Sequence, residues 1–317
     1  MEISRIYDAP SWTDSDGSVW SKHISAVSFI NKDIGWVVGS GQISYTMDGG
    51  MTWANQFNKQ MARGMSIPKR VFGVDDRNAW VLMLADRSSP SCYFTRNGGA
   101  EWQALRLDSM VHPNDMCFVG ENGWLISDDG EIPAANAMIH TTLDGGSSWR
   151  AHDLEIKGRP SKVRFLNSQK GFLVQVTTND RRTTTISNLL ITEDAGRSWR
   201  VVKSFNRRIS DLYLATEDHF WVIGEGGFIA RTTTGGLNWN RSRTPTNLPL
   251  NTITSDGHRK IVVGGDSGVL LVSEDFGEQW SSYEGSLEFD HFVDACFLEN
   301  NSAICATSTA AFLLAFR

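Results

Sequence analysis

No stretch of this 317-residue chain keeps apolar residues at a helical period over several turns, which excludes long amphipathic helices. No apolar run approaches the roughly 18 residues of a membrane-spanning helix. The N-terminus, MEISRIYDAPSW, lacks a basic region followed by an apolar core, so it does not read as a secretory leader. The expected compartment is the cytoplasm, or the periplasm or a lumen if a leader precedes the sequence given. Cysteine is rare: Cys92, Cys117, Cys296 and Cys305 are the whole set, with no Cys-x-x-Cys pair. Buried thiols are the simple expectation, and the spacing of Cys296 and Cys305 leaves open a disulfide across a hairpin. The seven histidines are scattered without metal-ligand spacing, and no glycine-rich phosphate loop occurs, so no metal or cofactor is expected. Net positive charge is missing too. The balance of −6 makes nucleic acid an unlikely partner for the chain as a whole.

What is present is tryptophan (12) and glycine (29), and they are periodic. Six segments align: Thr46-Met-Asp48-Gly-Gly50-Met-Thr-Trp53, Thr95-Arg-Asn97-Gly-Gly99-Ala-Glu-Trp102 and Thr142-Leu-Asp144-Gly-Gly146-Ser-Ser-Trp149, then Thr192-Glu-Asp194-Ala-Gly196-Arg-Ser-Trp199, Thr232-Thr-Thr234-Gly-Gly236-Leu-Asn-Trp239 and Ser273-Glu-Asp275-Phe-Gly277-Glu-Gln-Trp280. Successive tryptophans are 49, 47, 50, 40 and 41 residues apart, the length of a four-stranded propeller blade. The Asp is placed to bond backbone N–H groups of its own turn. The second Gly supplies a positive φ, and the Trp opens the next strand and buries its ring. Asn97 and Thr234 stand at the Asp position, which a self-capped turn accepts and a calcium site would not.

Short strand-like runs precede each box. AVSFI, GWVVG and ISYTM lead into the first, and DLYLA, FWVIG and FIART into the fifth. After the sixth box come VDACFL, AICATS and FLLAF but no fourth strand. The N-terminal ISRIYD is the natural closing strand, because closure removes exposed sheet edges. The expected fold is all-β, a single seven-bladed β-propeller over 1–317. Its blades span about 23–57, 69–107, 114–153, 161–205, 209–243, 250–284, and 291–317 with 2–8.

These repeats resemble the BNR or Asp-box propellers. Gly35-Trp-Val-Val-Gly39, Ile43 and the first box recur as Phe220-Trp-Val-Ile-Gly224 with Ile229, and as Ile261-Val-Val-Gly264 with Val269. That fuller pattern is similar to the photosystem II stability and assembly factor family over roughly residues 20 to 284. The resemblance implies a seven-bladed propeller that binds and helps assemble proteins without catalysis, acting as a scaffold or chaperone. It also implies an arginine patch.

Charge is unevenly spread. Residues 150–208 carry 13 Lys and Arg against 5 Asp and Glu, a surplus of 8 in a chain whose remainder is acidic. Propeller topology puts the boxes on one face, with the strand B to C and strand D to next-blade loops on the other. Lys157, Arg159, Arg181, Arg182, Arg207 and Arg208 fall in those opposite loops, and Arg241 with Arg243 extends them. Arginine suits bidentate contact with carboxylates, so the expected partner is a protein with an acidic segment. The long segment carrying Trp12 and Trp20 is expected beside them.

The alternative is a glycan-binding or glycoside-hydrolase-like propeller. A sialidase needs three arginines, a Tyr–Glu nucleophile pair and an acidic Asp. Arg5-Ile6 is followed by Tyr7 rather than Pro, and Tyr45 and Tyr93 sit just before boxes, on the wrong face. The chain has room for one propeller, so the two-propeller cleft of xyloglucan hydrolases cannot form. No catalytic residue is assigned.

Overall fold

The computed structural model describes residues 1–10, 12–13, 19–20, 23–56, 67–84, 91–105, 107, 112–130, 136–156, 158–178, 185–283, 291–298 and 301–316, with the backbone alone for 12–13 and 19–20. Strand dominates, with no α-helix among these residues and one short 3-10 turn at Asp266–Gly268.

Seven four-stranded antiparallel sheets follow one another, the make-up of a seven-bladed β-propeller. Strands A to D of each blade are named in the order in which they pair. Blade 3 comprises His112–Val119, Asn122–Asp128, Ala137–Thr142 and Arg150–Leu154. Blade 4 comprises Arg159–Phe165, Gly171–Thr178, Thr185–Thr192 and Arg200–Phe205. Blade 5 comprises Ile209–Leu214, Phe220–Gly224, Phe228–Thr232 and Asn240–Arg241. Blade 7 takes its outer strand from the N-terminus: Glu2–Asp8 pairs with Ala310–Ala315.

Contacts group the chain into two compact units, residues 1–105 with 250–317, and residues 106–249, where the sequence reading has one domain. Repeat arrays divide this way because each unit packs mainly on its sequence neighbours. The first unit holds blades 1, 2, 6 and 7. The second holds blades 3, 4 and 5.

In the first unit the closing strand is latched to blade 1 as well as to blade 7. The Tyr7 hydroxyl bonds the Ser44 hydroxyl (2.8 Å), and Trp53 Nε1 donates to the Ile6 carbonyl (3.0 Å). A two-stranded ribbon, Trp12–Thr13 with Val19–Trp20, follows it, with Trp12 opposite Trp20. All four cysteines are free. In blade 7, Cys296 pairs with Ile304 and Cys305 with Ala295, so the two thiols lie on opposite faces of the sheet and the hairpin disulfide does not form. Burial pushes the Cys296 thiol up to about 12.

The box turns cap themselves. In the first, Thr46 Oγ1 donates to Asp48 Oδ1 (2.8 Å) and accepts from Gly50 N (2.9 Å), while Thr52 N donates to Asp48 Oδ1 (2.8 Å). Bonds from the Thr52 side chain, the Thr52 backbone and Thr46 hold that carboxyl below the usual carboxylate range. Asn97 Oδ1 accepts from Glu101 N (3.0 Å) and Thr234 Oγ1 from Asn238 N (2.9 Å), so a neutral oxygen does the same work. Gly50 sits at φ 91°, where a Cβ would press on Ile6.

The box tryptophans are less buried than their size suggests. Trp53, Trp149, Trp199, Trp239 and Trp280 are half-buried, and only Trp102 is buried. Four of them lean on their own turn, through Nε1 bonds to the carbonyls of Gly50, Gly146, Gly196 and Gly236. Among the described side chains the fully buried tryptophans are those of strand B: Trp36, Trp80, Trp124 and Trp221.

Blade 3 also buries a histidine. His140 is 1% exposed and its Nε2 lies 3.2 Å from the Ser127 hydroxyl. Burial, aided by His152, lowers its pKa from 6.5 to about 4. The folded state therefore binds fewer protons than the unfolded chain between those values. Its contribution is fully present above pH 6.5 and is lost as pH falls to about 4. The loss expected over that window is about 3 kcal/mol. Urea midpoints at pH 7.5 and 4.5 check this. His140→Gln flattens the dependence, and parallel profiles for the two proteins would contradict it.

Candidate docking surface

The basic loops that the structure describes lie in the second unit, and the antiparallel order separates them from the boxes. The blade 5 box leans on its A–B turn, with Gly235 N donating to the Asp218 carbonyl (3.1 Å). At the other end of the blade, Glu225 N in the B–C loop donates to the Arg208 carbonyl (3.1 Å), joining that loop to the connection from blade 4. Gly224 makes this approach possible, since a Cβ there would strike the Arg208 carbonyl.

Two arginines converge there. The Arg207 guanidinium carbon lies 4.4 Å from the Phe228 ring centroid, and Arg207 Nη1 donates to the Glu225 carbonyl (3.3 Å). Arg241, from strand D of blade 5, lies 5.7 Å from the same ring. Phe228 is 7% exposed and is held edge-on by Phe205 at 5.8 Å. The ring attracts both cations and gathers two guanidinium groups on one side chain, and guanidinium groups suit contact with carboxylate oxygens. Arg208 and Arg243 are exposed close by in sequence.

Arg159 is less free. Its Nε lies 3.5 Å from Asp128 Oδ2, a carboxylate only 1% exposed, which also accepts from Asn114 Nδ2 (2.8 Å) and Gly130 N (2.8 Å). Lys157, Arg181 and Arg182 lie outside the described residues. Trp12 and Trp20 belong to the first unit, and their side chains also lie outside.

Part of the blade 4 surplus is internal, which the charge count does not reveal. Lys162 and Arg164 on strand A face Asp211 of blade 5 and Asp115 of blade 3. Lys162 Nζ is 3.2 Å and Arg164 Nη2 3.5 Å from Asp211 Oδ1, while Arg164 Nη1 donates to Asp115 Oδ2. Burial opposes the Arg164 charge, but the two aspartates outweigh it and raise its pKa. Lys170 pairs with Glu217 at 2.9 Å. Phe228 and the Asp115–Arg164–Asp211–Lys162 chain carry no motif. Only a strand-by-strand alignment of the blades would have picked them out.

No protein-family model matches the chain. It is 26% identical over 271 residues to the photosystem II assembly lipoprotein Ycf48 of Synechococcus sp. (strain CC9902), covering 81% of this chain and 74% of that protein. It is 25% identical over 270 residues to the chloroplastic photosystem II stability/assembly factor HCF136 of Arabidopsis thaliana, covering 78% of this chain and 62% of that one. The chain resembles photosystem II assembly factors. Solved structures of such factors share the fold. YCF48 bound to a D1 peptide superposes with a TM-score of 0.71 at 18% identity, covering 100% of this chain and 95% of that one. YCF48 from Cyanidioschyzon merolae gives 0.73 at 17% identity, covering 98% and 99%. A streptogramin B lyase also matches, at 0.67 and 12% identity over 99% and 97%, so the fold alone does not decide between binding and catalysis.

Proposed function

We propose that this chain is a non-catalytic docking or assembly protein that holds an acidic segment of a protein partner on the blade 4–5 end of its second unit. The observation that carries this reading is the convergence of Arg207 and Arg241 on the buried ring of Phe228. The relatives support it at a coarser level. They are named assembly factors, and one YCF48 structure holds a D1 peptide. Three buried carboxylates and one buried thiol are not available for catalysis. Asp115, Asp128 and Asp211 are engaged by cations or backbone, and burial pushes the Cys117 thiol up to about 12, far from a nucleophile's range. The relatives are described as a lipoprotein and as chloroplastic, so a periplasmic or lumenal setting accords with them better than the cytoplasm. No helix among the described residues is long and apolar enough to cross a membrane.

The test is capture from the native host with the full chain and with a variant carrying Arg207→Glu, Arg208→Glu, Arg241→Glu and Arg243→Glu. The variant is expected to keep its thermal transition and lose the partner. Capture equal to wild type would sink the reading.

A glycan ligand is the second reading, favoured by one feature. An open groove of about 610 Å³ in the first unit is lined by Trp280, Tyr283, Phe316, Gln279 and Arg259. A glycan array with no specific binder removes it.

A further inference from the structure

The outer edge of blade 4 is long and carries charge of one sign only, whereas the longer outer strand of blade 7 carries Glu2 and Asp8 beside Arg5. Strand D there is Arg200–Phe205, six residues long, whereas the outer strands of blades 1, 5 and 6 have two residues each. It is the last strand of its sheet. It carries Arg200 and Lys203 and no acidic residue, and no described carboxylate forms an ion pair with either. The comparable edge of blade 3, Arg150–Leu154, balances Arg150 with Asp153. Val201 is 54% exposed, and among the described residues no other large apolar side chain on an outer strand is so open. Arg200 and Lys203 pair with Ile191 and Leu189 of strand C, so they share one face, while Val201 pairs with Leu190 on the other.

We infer that this edge is a second docking element, which takes an extended acidic segment of another protein as an added fifth strand. An outer strand presents alternate N–H and C=O groups that need partners, and length sets how many bonds an incoming segment gains. Two-residue edges offer almost none, and six residues offer enough to hold a peptide in register. The cations select the occupant. A second copy pairing edge to edge would set Arg200 and Lys203 against their own kind, and like charges opposite each other oppose pairing. A segment with carboxylates at alternate positions meets them instead, and an apolar residue between the carboxylates covers Val201. The bulge at Val202, between Val201 and Lys203, breaks the regular ladder once inside this edge, so an added strand pairs in two short stretches on either side of it. This edge adjoins the Arg207–Arg241 platform through Phe205, but it offers strand hydrogen bonds where the platform offers guanidinium groups.

The probe is a fluorescein-labelled hexapeptide of alternating Glu and Val, titrated into the full chain at low salt. A copy methylated on alternate backbone nitrogens is the control. The plain peptide is expected to bind saturably and to slow amide exchange within 200–205. The methylated copy should bind at least about ten-fold more weakly, because it keeps the charge and loses the strand bonds. Arg200→Glu with Lys203→Glu should abolish binding without moving the thermal transition. Equal binding of the two peptides would overturn the inference, since charge alone would then explain it. So would self-association of the chain protecting the same amides, or unchanged exchange in 200–205 at saturation.

Discussion

Replacing Asp115 by alanine is expected to cost about 3–5 kcal/mol in the unfolding of the second unit. Asp115 is 1% exposed, and its Oδ2 accepts both the Val163 N–H (3.0 Å) and Arg164 Nη1. Alanine leaves a buried amide without its acceptor and a guanidinium whose remaining described carboxylate is Asp211, at 3.5 Å and shared with Lys162. Most of the cost is the penalty of the orphaned Val163 amide and of an undercompensated half-buried charge rather than the net worth of the pair. Asp115→Asn keeps a backbone acceptor and should fall between alanine and wild type. Removing Arg164 in the Asp115→Ala background should cost much less than removing it from wild type, because the two act together. Urea denaturation of the four proteins reads this cycle. A loss below about 1 kcal/mol for Asp115→Ala would show that the chain of charges does not hold blades 3 to 5 together.

Trp124→Ala should be of similar size, about 3–5 kcal/mol. The indole is 1% exposed, lies flat on Phe165 of blade 4 at 3.6 Å and 5°, and donates through Nε1 to the Ala195 carbonyl at 2.9 Å. One side chain thus joins strand B of blade 3 to both the first strand and the box turn of blade 4. Trp124→Phe keeps the stack and loses the N–H bond, so about 1–2 kcal/mol is expected. Calorimetric melting compares the two. Equal losses would mean that the stack adds nothing beyond the hydrogen bond.

These expectations rest on features of uneven legibility. The turns could be read from sequence because their chemistry is local: hydroxyl, carboxylate and glycine meet within eight residues, as Thr46, Asp48 and Gly50 do. The closing strand could be inferred because blade 7 lacked a fourth strand, and Glu2–Asp8 supplies it. The core was harder to read. The box Trp is the residue most visibly periodic, yet the strand B Trp is the one fully buried, because the box Trp sits on a turn at the rim and strand B runs through the sheet. Spacing suggested a Cys296–Cys305 bridge, but register decides such pairs, and an offset of one residue sends the side chains to opposite faces.

The docking surface shows the same limit. Charge counting located the basic stretch, but it counted Lys162 and Arg164 with the loop arginines although they face inward. It also gave no hint that Phe228 would gather Arg207 and Arg241, because these residues come from three separate elements. Sequence carries the number of charges. Only the fold shows which of them remain available to a partner.

The most direct test of that availability is amide exchange on the full chain bound to the protein it captures. Protection should appear at residues 207–208, 225–228 and 241–243, the segments that build the arginine platform. Protection confined to the box turns, with those three segments unchanged, would contradict the account.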